Sequence, residues 1–183
     1  MRQCTWVWSV VLLVVANLGA GCAGCNERTQ PGEAEVATAK IKEELERANR
    51  LAADRSQLQI EGYIRRNGIE GMQKMANGLY VKVEGKAQGK QFVEGERAKV
   101  AYRLELLDGT LIWEIDSTRA ESLTLGARDR TAGLDMLITA MAPGQHGVGL
   151  IPSHLGYGLS GDGSKVPPHA SLMYKVTWVR RLP

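Results

Sequence analysis

A chain of 183 residues, 44% of them hydrophobic, is long enough to bury one domain of ordinary core size with extensions. A net charge of +3, without a long lysine or arginine block, gives no electrostatic footprint for nucleic acid, and no such partner is expected. All three cysteines, Cys4, Cys22 and Cys25, precede residue 26, which excludes a disulfide framework for the rest of the chain, while His146, His154 and His169 lack metal-ligand spacing.

The chain opens on an apolar run, Trp6 to Ala16, preceded by Arg2 and followed by small residues. It is too short for a comfortable membrane span and has the pattern of a secretory leader. Leu18-Gly-Ala-Gly-Cys22 looks like a bacterial lipobox, so residues 1–21 are expected to be a lipoprotein signal peptide and Cys22 an acylated mature N-terminus. Cys25 is a second candidate. The expected location is the bacterial outer membrane, facing the periplasm or the surface, with the membrane as a partner through the lipid. Cys22-Ala-Gly-Cys25 also has CxxC spacing, but a thiol consumed as a lipid thioether serves neither redox nor zinc chemistry.

Residues 22–55 read as a polar tether followed by a spacer helix from about Glu33 to Ala53, with Glu43/Arg47 and Glu46/Arg50 at i,i+4. Ile41, Leu45, Ala48 and Ala52 form a narrow seam, half alanine and hardly two heptads long, so a monomer is expected. Ser56 and Gln59 fit a capping box, which predicts that a second helix opens residues 56–78, stopped at Asn67-Gly68.

Strand patterns begin at Leu79, the expected start of a domain over 79–183. Val100, Tyr102, Leu104 and Leu106 alternate with Ala101, Arg103 and Glu105, Asp108-Gly109 marks a hairpin, and Thr110 to Asp116 returns. Arg128 to Met141 reads as the domain's one helix, with Leu134, Leu137, Ile138 and Met141 on one face. After Pro143-Gly144, Gly147 to Ile151 is apolar. The last segment sets Leu172, Tyr174, Val176 and Trp178 against Met173, Lys175, Thr177 and Val179. This succession gives an α+β fold, an antiparallel sheet packed on a helix. Gly156-Tyr-Gly-Leu-Ser-Gly161 spells GxGxxG, but Val166-Pro-Pro168 follows where a phosphate cradle needs a helix, so the glycines read as loop residues.

Gly156-Tyr157-Gly158 and Val166-Pro-Pro-His-Ala170 resemble the signature of the FKBP family of peptidyl-prolyl isomerases. Gln59 to Gly68 is similar to the segment before the isomerase domain in lipid-anchored bacterial members. The resemblance implies a bent antiparallel β-sheet wrapped on one short α-helix (FKBP-like), preceded by N-terminal helices. It implies prolyl isomerisation of proline-containing polypeptide clients and no cofactor or metal. Tyr157 matches the loop tyrosine that donates to a ligand carbonyl, the catalytic assignment. Tyr102 and Tyr174 match aromatic walls, Val166 the aliphatic before the double proline, and Thr131 the backbone donor at the helix start. Leu134 stands where the floor is usually tryptophan, Arg130-Thr131 replaces an aliphatic pair, and a phenylalanine wall is missing near Glu121. The family's aspartate falls either at Ile112-Trp113, where no acid stands, or at Asp116. Two functions follow: an isomerase assisting folding outside the cytoplasm, or a catalytically weak FKBP-like binding or chaperone module at the membrane.

Overall fold

The structure is a computed structural model that describes residues 31–183, with side chains from residue 35 onward. The leader and Cys22 lie outside the described residues. Two compact units divide between Ile41 and Lys42. Of the first unit the description covers the opening turns of helix α1 (Pro31–Arg66), whose side chains from Glu35 to Ile41 are exposed.

From Lys42 onward α1 belongs to the second unit. It continues through Ser56 without a break, where the sequence predicts a fresh start. Two facts account for the difference. No glycine or proline interrupts residues 33–61, and the Ser56 hydroxyl, instead of capping Gln59, meets Ser153 Oγ at 2.8 Å in a buried contact. Ile60, fully buried, packs with Tyr80, Leu150 and Met173 on the sheet's outer face, flanked by Tyr63 and Ile64. Gln57 Nε2 donates to Tyr80 Oη at 2.7 Å, and that hydroxyl donates to Glu61 at 2.9 Å. The packed unit therefore begins well before residue 79, because the outer face of the sheet is apolar at Leu150 and Met173 and needs this helix as its cover.

The strands are β1 (Gln73–Lys74), β2 (Tyr80–Glu84), β3 (Arg97–Leu106), β4 (Leu111–Ile115), β5 (Glu121–Thr124), β6 (His146–Ile151) and β7 (Leu172–Arg181). They pair antiparallel in the order β1-β2-β6-β7-β3-β4, with β5 sharing the outer edge of β3. Helix α2 (Ala132–Thr139), shorter than the stretch read from sequence, lies against β6 on the inner face. Close approach requires small residues there: a Cβ at Gly149 would meet Leu137 Cδ2 at 2.9 Å. Leu134, Leu137, Ile138 and Met141 fill the main core with Val100, Tyr102, Leu104, Ile151, Leu172 and Tyr174.

Two bulges reset the sequence's alternation. Ala101 pairs with Trp178 but Tyr102 with Val176, so Thr177 is the extra residue of β7. Past it the phase flips: Val179 enters the core at 1% exposure and Trp178 leaves it, contrary to the uninterrupted alternation. A second register shift sets Leu104 opposite Trp113 and Glu105 opposite Leu111, leaving Ile112 extra. Its side chain is buried while Leu111 and Trp113 are exposed.

Candidate active site

The inner face of β3 and β7 brings the two predicted wall residues together. Tyr102 and Tyr174 meet with ring centroids 5.5 Å apart and planes tilted by 54°. Leu134 from α2 and Val166 from the loop before β7 join the same core cluster, and Tyr157 packs against it half-buried. Thr131 caps α2: its Oγ1 accepts from Leu134 N and donates to Tyr174 Oη, both at 3.3 Å. The Thr131 backbone N–H makes no hydrogen bond among the described residues. Five predicted residues, Tyr102, Thr131, Leu134, Val166 and Tyr174, are thus packed into one cluster, none more than 3% exposed, with Tyr157 at its edge.

The loop is built to present Tyr157. A 3-10 turn, Ser153–Leu155, follows Pro152 at the end of β6, and Ser153 O accepts from the N–H groups of Gly156 and Gly158 at 3.0 and 2.8 Å. Gly158 (φ 64°) and Gly161 (φ 72°) occupy the left-handed region, as the loop reading of the GxGxxG requires. Asp162 Oδ1 accepts from Ser164 N at 2.8 Å and Val166 N at 2.7 Å, which holds Val166 inward. Lys165 Nζ donates to Ile112 O at 3.3 Å and ties the loop to β4.

Burial raises the phenol of Tyr174 far above its ordinary value, and the hydroxyls of Tyr157 and Tyr102 beside it push the same way, against the Thr131 hydrogen bond. Burial likewise raises Tyr102, with the Glu121 carboxylate adding to it. Both stay neutral donors and acceptors throughout the physiological range.

Asp116 does not supply the acid of this site. Its Oδ1 accepts from Thr118 N at 2.8 Å, Thr118 Oγ1 at 2.5 Å and Arg119 N at 3.0 Å, so the carboxylate caps the turn after β4. The acid bonded to Tyr102 is Glu121 of β5, which accepts from Tyr102 Oη at 3.1 Å. Arg130 grips the same carboxylate, Nε and Nη2 donating to Oε1 at 3.0 and 2.7 Å, and its guanidinium lies 5.6 Å from the Trp113 ring centroid. The sequence marks Glu121 only as the place of a missing wall residue; its bonds to Tyr102 and Arg130 are not visible there, because β5 is four residues long and carries no clear alternation. The Arg130 position, breaking an aliphatic pair, was the available signal.

The model of the family described as FKBP-type peptidyl-prolyl cis-trans isomerase matches residues 88–179. The chain belongs to this family. An FK506-binding protein of Neisseria meningitidis serogroup C is 36% identical over 89 residues, 48% of this chain and 82% of that protein. The human peptidyl-prolyl cis-trans isomerase FKBP9 is 35% identical over 86 residues; the match takes in 45% of this chain and only 15% of that relative's length. A peptidyl-prolyl cis-trans isomerase crystal structure from Pseudomonas syringae superposes with a TM-score of 0.59 at 20% identity, over 74% of this chain and 94% of that one, a likeness of fold.

Proposed function

We propose that the domain is a peptidyl-prolyl cis-trans isomerase of extracytoplasmic polypeptide clients. The observation that carries this is Tyr157, held between two glycines at the edge of an apolar cluster of Tyr102, Leu134, Val166 and Tyr174. Rotating an X–Pro amide crosses a barrier of ~20 kcal/mol set by amide resonance. No bond breaks and no proton moves, so the chemistry asks for selective stabilisation of the twisted amide. An apolar surround favours the twisted form, whose resonance charge separation is lost, and well-placed donors add to it. Tyr157 Oη and the unengaged N–H of Thr131 are the donors on hand. An acceleration of ~10⁵ asks for about 7 kcal/mol of such preference.

The second reading, a weakly catalytic binding or chaperone module, draws on the near-complete burial of Tyr102, Leu134 and Tyr174, which leaves a prolyl ring little surface. A proline-limited refolding assay decides between them. Wild type should accelerate the slow phase, and Tyr157→Phe should slow turnover several-fold, the loss of one hydrogen bond of about 1 kcal/mol, with unchanged thermal stability. Wild-type turnover at the uncatalysed rate would leave the binding module. We place the protein at the outer membrane through Cys22, on the leader pattern alone. The mass of the mature N-terminus tests this, and a Cys22 without acyl chains would sink it.

A further inference from the structure

Arg130 is an oddity beside this cluster: an arginine at a position where the family pattern expects an aliphatic residue, yet held by two partners. Its Nε and Nη2 grip Glu121, with contacts of 3.0 and 2.7 Å to Oε1. Its guanidinium lies 5.6 Å from the Trp113 ring centroid, and its charge opposes the rise of the Tyr102 phenol. The register explains the convergence. Ile115 lies opposite Tyr102 and Trp113 opposite Leu104, so the exposed Trp113 ring and the wall tyrosine share one face of the sheet. Glu121 reaches the same place from β5, across β3 from Val100.

An arginine offers two forks. The Nε/Nη2 edge is the one that Glu121 occupies, and the Nη1/Nη2 end remains. Nη1 makes no hydrogen bond among the described residues, and the Arg130 side chain is 36% exposed. Such a guanidinium is already ordered by its first carboxylate and by the indole, so a second planar acceptor pays little side-chain entropy to bind it.

We propose that Arg130, clamped by Glu121 and Trp113, is a specificity-determining residue that receives a carboxylate side chain of the client flanking the proline. The proposal rests on the isomerase reading only in placing the proline beside Tyr157. Glu121 partly cancels the guanidinium charge, so the preference for acidic over basic flanks in the wild type is small and tunable. Removing the cancelling acid enlarges it; removing the guanidinium abolishes or inverts it.

The test compares peptides with Glu or Lys immediately before or after a single proline. Turnover is measured by kcat/KM and binding by NMR titration of the full chain at low salt. Glu121→Gln should raise the Glu-over-Lys ratio about two- to five-fold, the range of a partly exposed ion pair, and Arg130→Met should bring it to unity or below. Arg130→Lys should keep the charge preference while losing the fork's geometry, and thermal melting confirms each fold. Should Arg130→Met fail to fold, the opposite shifts expected of Glu121→Gln and wild type in added salt still decide. A preference seen in binding without turnover supports the proposal while removing the isomerase reading. Turnover with a ratio unmoved by Glu121→Gln and Arg130→Met overturns the proposal and leaves the isomerase reading intact. Peptides that neither bind nor turn over remove both.

Discussion

Tyr174 shows how a single buried group ties stability to function. Its hydroxyl takes the Thr131 Oγ1 bond and stands beside Tyr157, inside a core where it is 1% exposed. Ionising it there means placing an anion in an apolar surround, so its folded value is raised well above the ordinary 10.0, as is that of Tyr102. The sign follows from linkage. Below about pH 10 both phenols are protonated in the folded and the unfolded chain, and the contribution to stability is fully present. Above it the unfolded phenols release protons while the folded ones hold them, so stability falls as pH rises toward the folded values. Denaturant midpoints should thus be level through pH 7 to 9 with respect to these groups and decline beyond pH 10. Tyr174→Phe should flatten part of that decline while costing some neutral-pH stability. An alkaline limb identical in wild type and Tyr174→Phe would show that Tyr174 ionises freely. The same logic keeps Tyr102 a donor to Glu121, since a phenolate there would face a carboxylate 3.1 Å away.

At the scale of elements, α1 is the piece whose role the sequence concealed. Periodicity exposes the apolar stripe of Ile60, Tyr63 and Ile64, but does not say what the stripe covers; the answer lies in Tyr80, Leu150 and Met173, 16 to 113 positions away. Ser56 illustrates the same limit: a serine followed by Gln59 has the local signature of a helix start, and a tertiary partner, Ser153, takes its hydroxyl instead. The strands β3 and β7 were legible because their alternation is local, β2 and β6 as short apolar runs from Leu79 and up to Pro152, and β4 as the return of the Asp108-Gly109 hairpin. The bulges at Thr177 and Ile112 were not, since an extra residue in a ladder is visible only in the pairing. The tyrosine cluster was legible through the family motif; Glu121 and Arg130 stood out in sequence as departures from it, and only the geometry shows that they pair. Because α1 is the cover of the sheet's outer face, Ile60→Ala should destabilise the domain by about 2–5 kcal/mol, the usual cost of emptying a fully buried aliphatic site. Leu58→Ala, at a position 70% exposed two residues away, should change stability by under about 0.5 kcal/mol. Chemical denaturation of the two variants reads the difference, and equal losses would mean that α1 is not docked through Ile60. A loss at Ile60 should also reach the site, for Ser56 and Ser153 join the helix to the turn that precedes Tyr157.

At the scale of the whole molecule, α1 could serve a second copy of the chain only through an apolar stripe of its own. Exposed leucines invite that reading: Leu45, Leu51 and Leu58 are 59 to 70% exposed. Their positions argue against it. At about 100° per residue, Leu51 and Leu58 share one face of the helix, and Leu45 lies roughly a third of a turn away. A stable two-stranded seam needs apolar residues repeating on one stripe over several heptads. The narrow seam read from sequence fares no better, because Ala52, its last member, is 9% exposed and borders a recess with Ser153, Gly158 and Leu159 of the same domain. What remains of the seam is Ile41 and Leu45 with an alanine, short of the several heptads that a stable seam needs. We therefore propose that the mature chain is a monomer at micromolar concentration. Sedimentation equilibrium in a detergent that disperses any acyl anchor should give the monomer mass, unchanged by Leu45→Glu or by Leu51→Glu. A dimer mass that Leu45→Glu returns to monomer would establish the seam as an interface, and one that Leu51→Glu returns would place the interface on the stripe of Leu51 and Leu58.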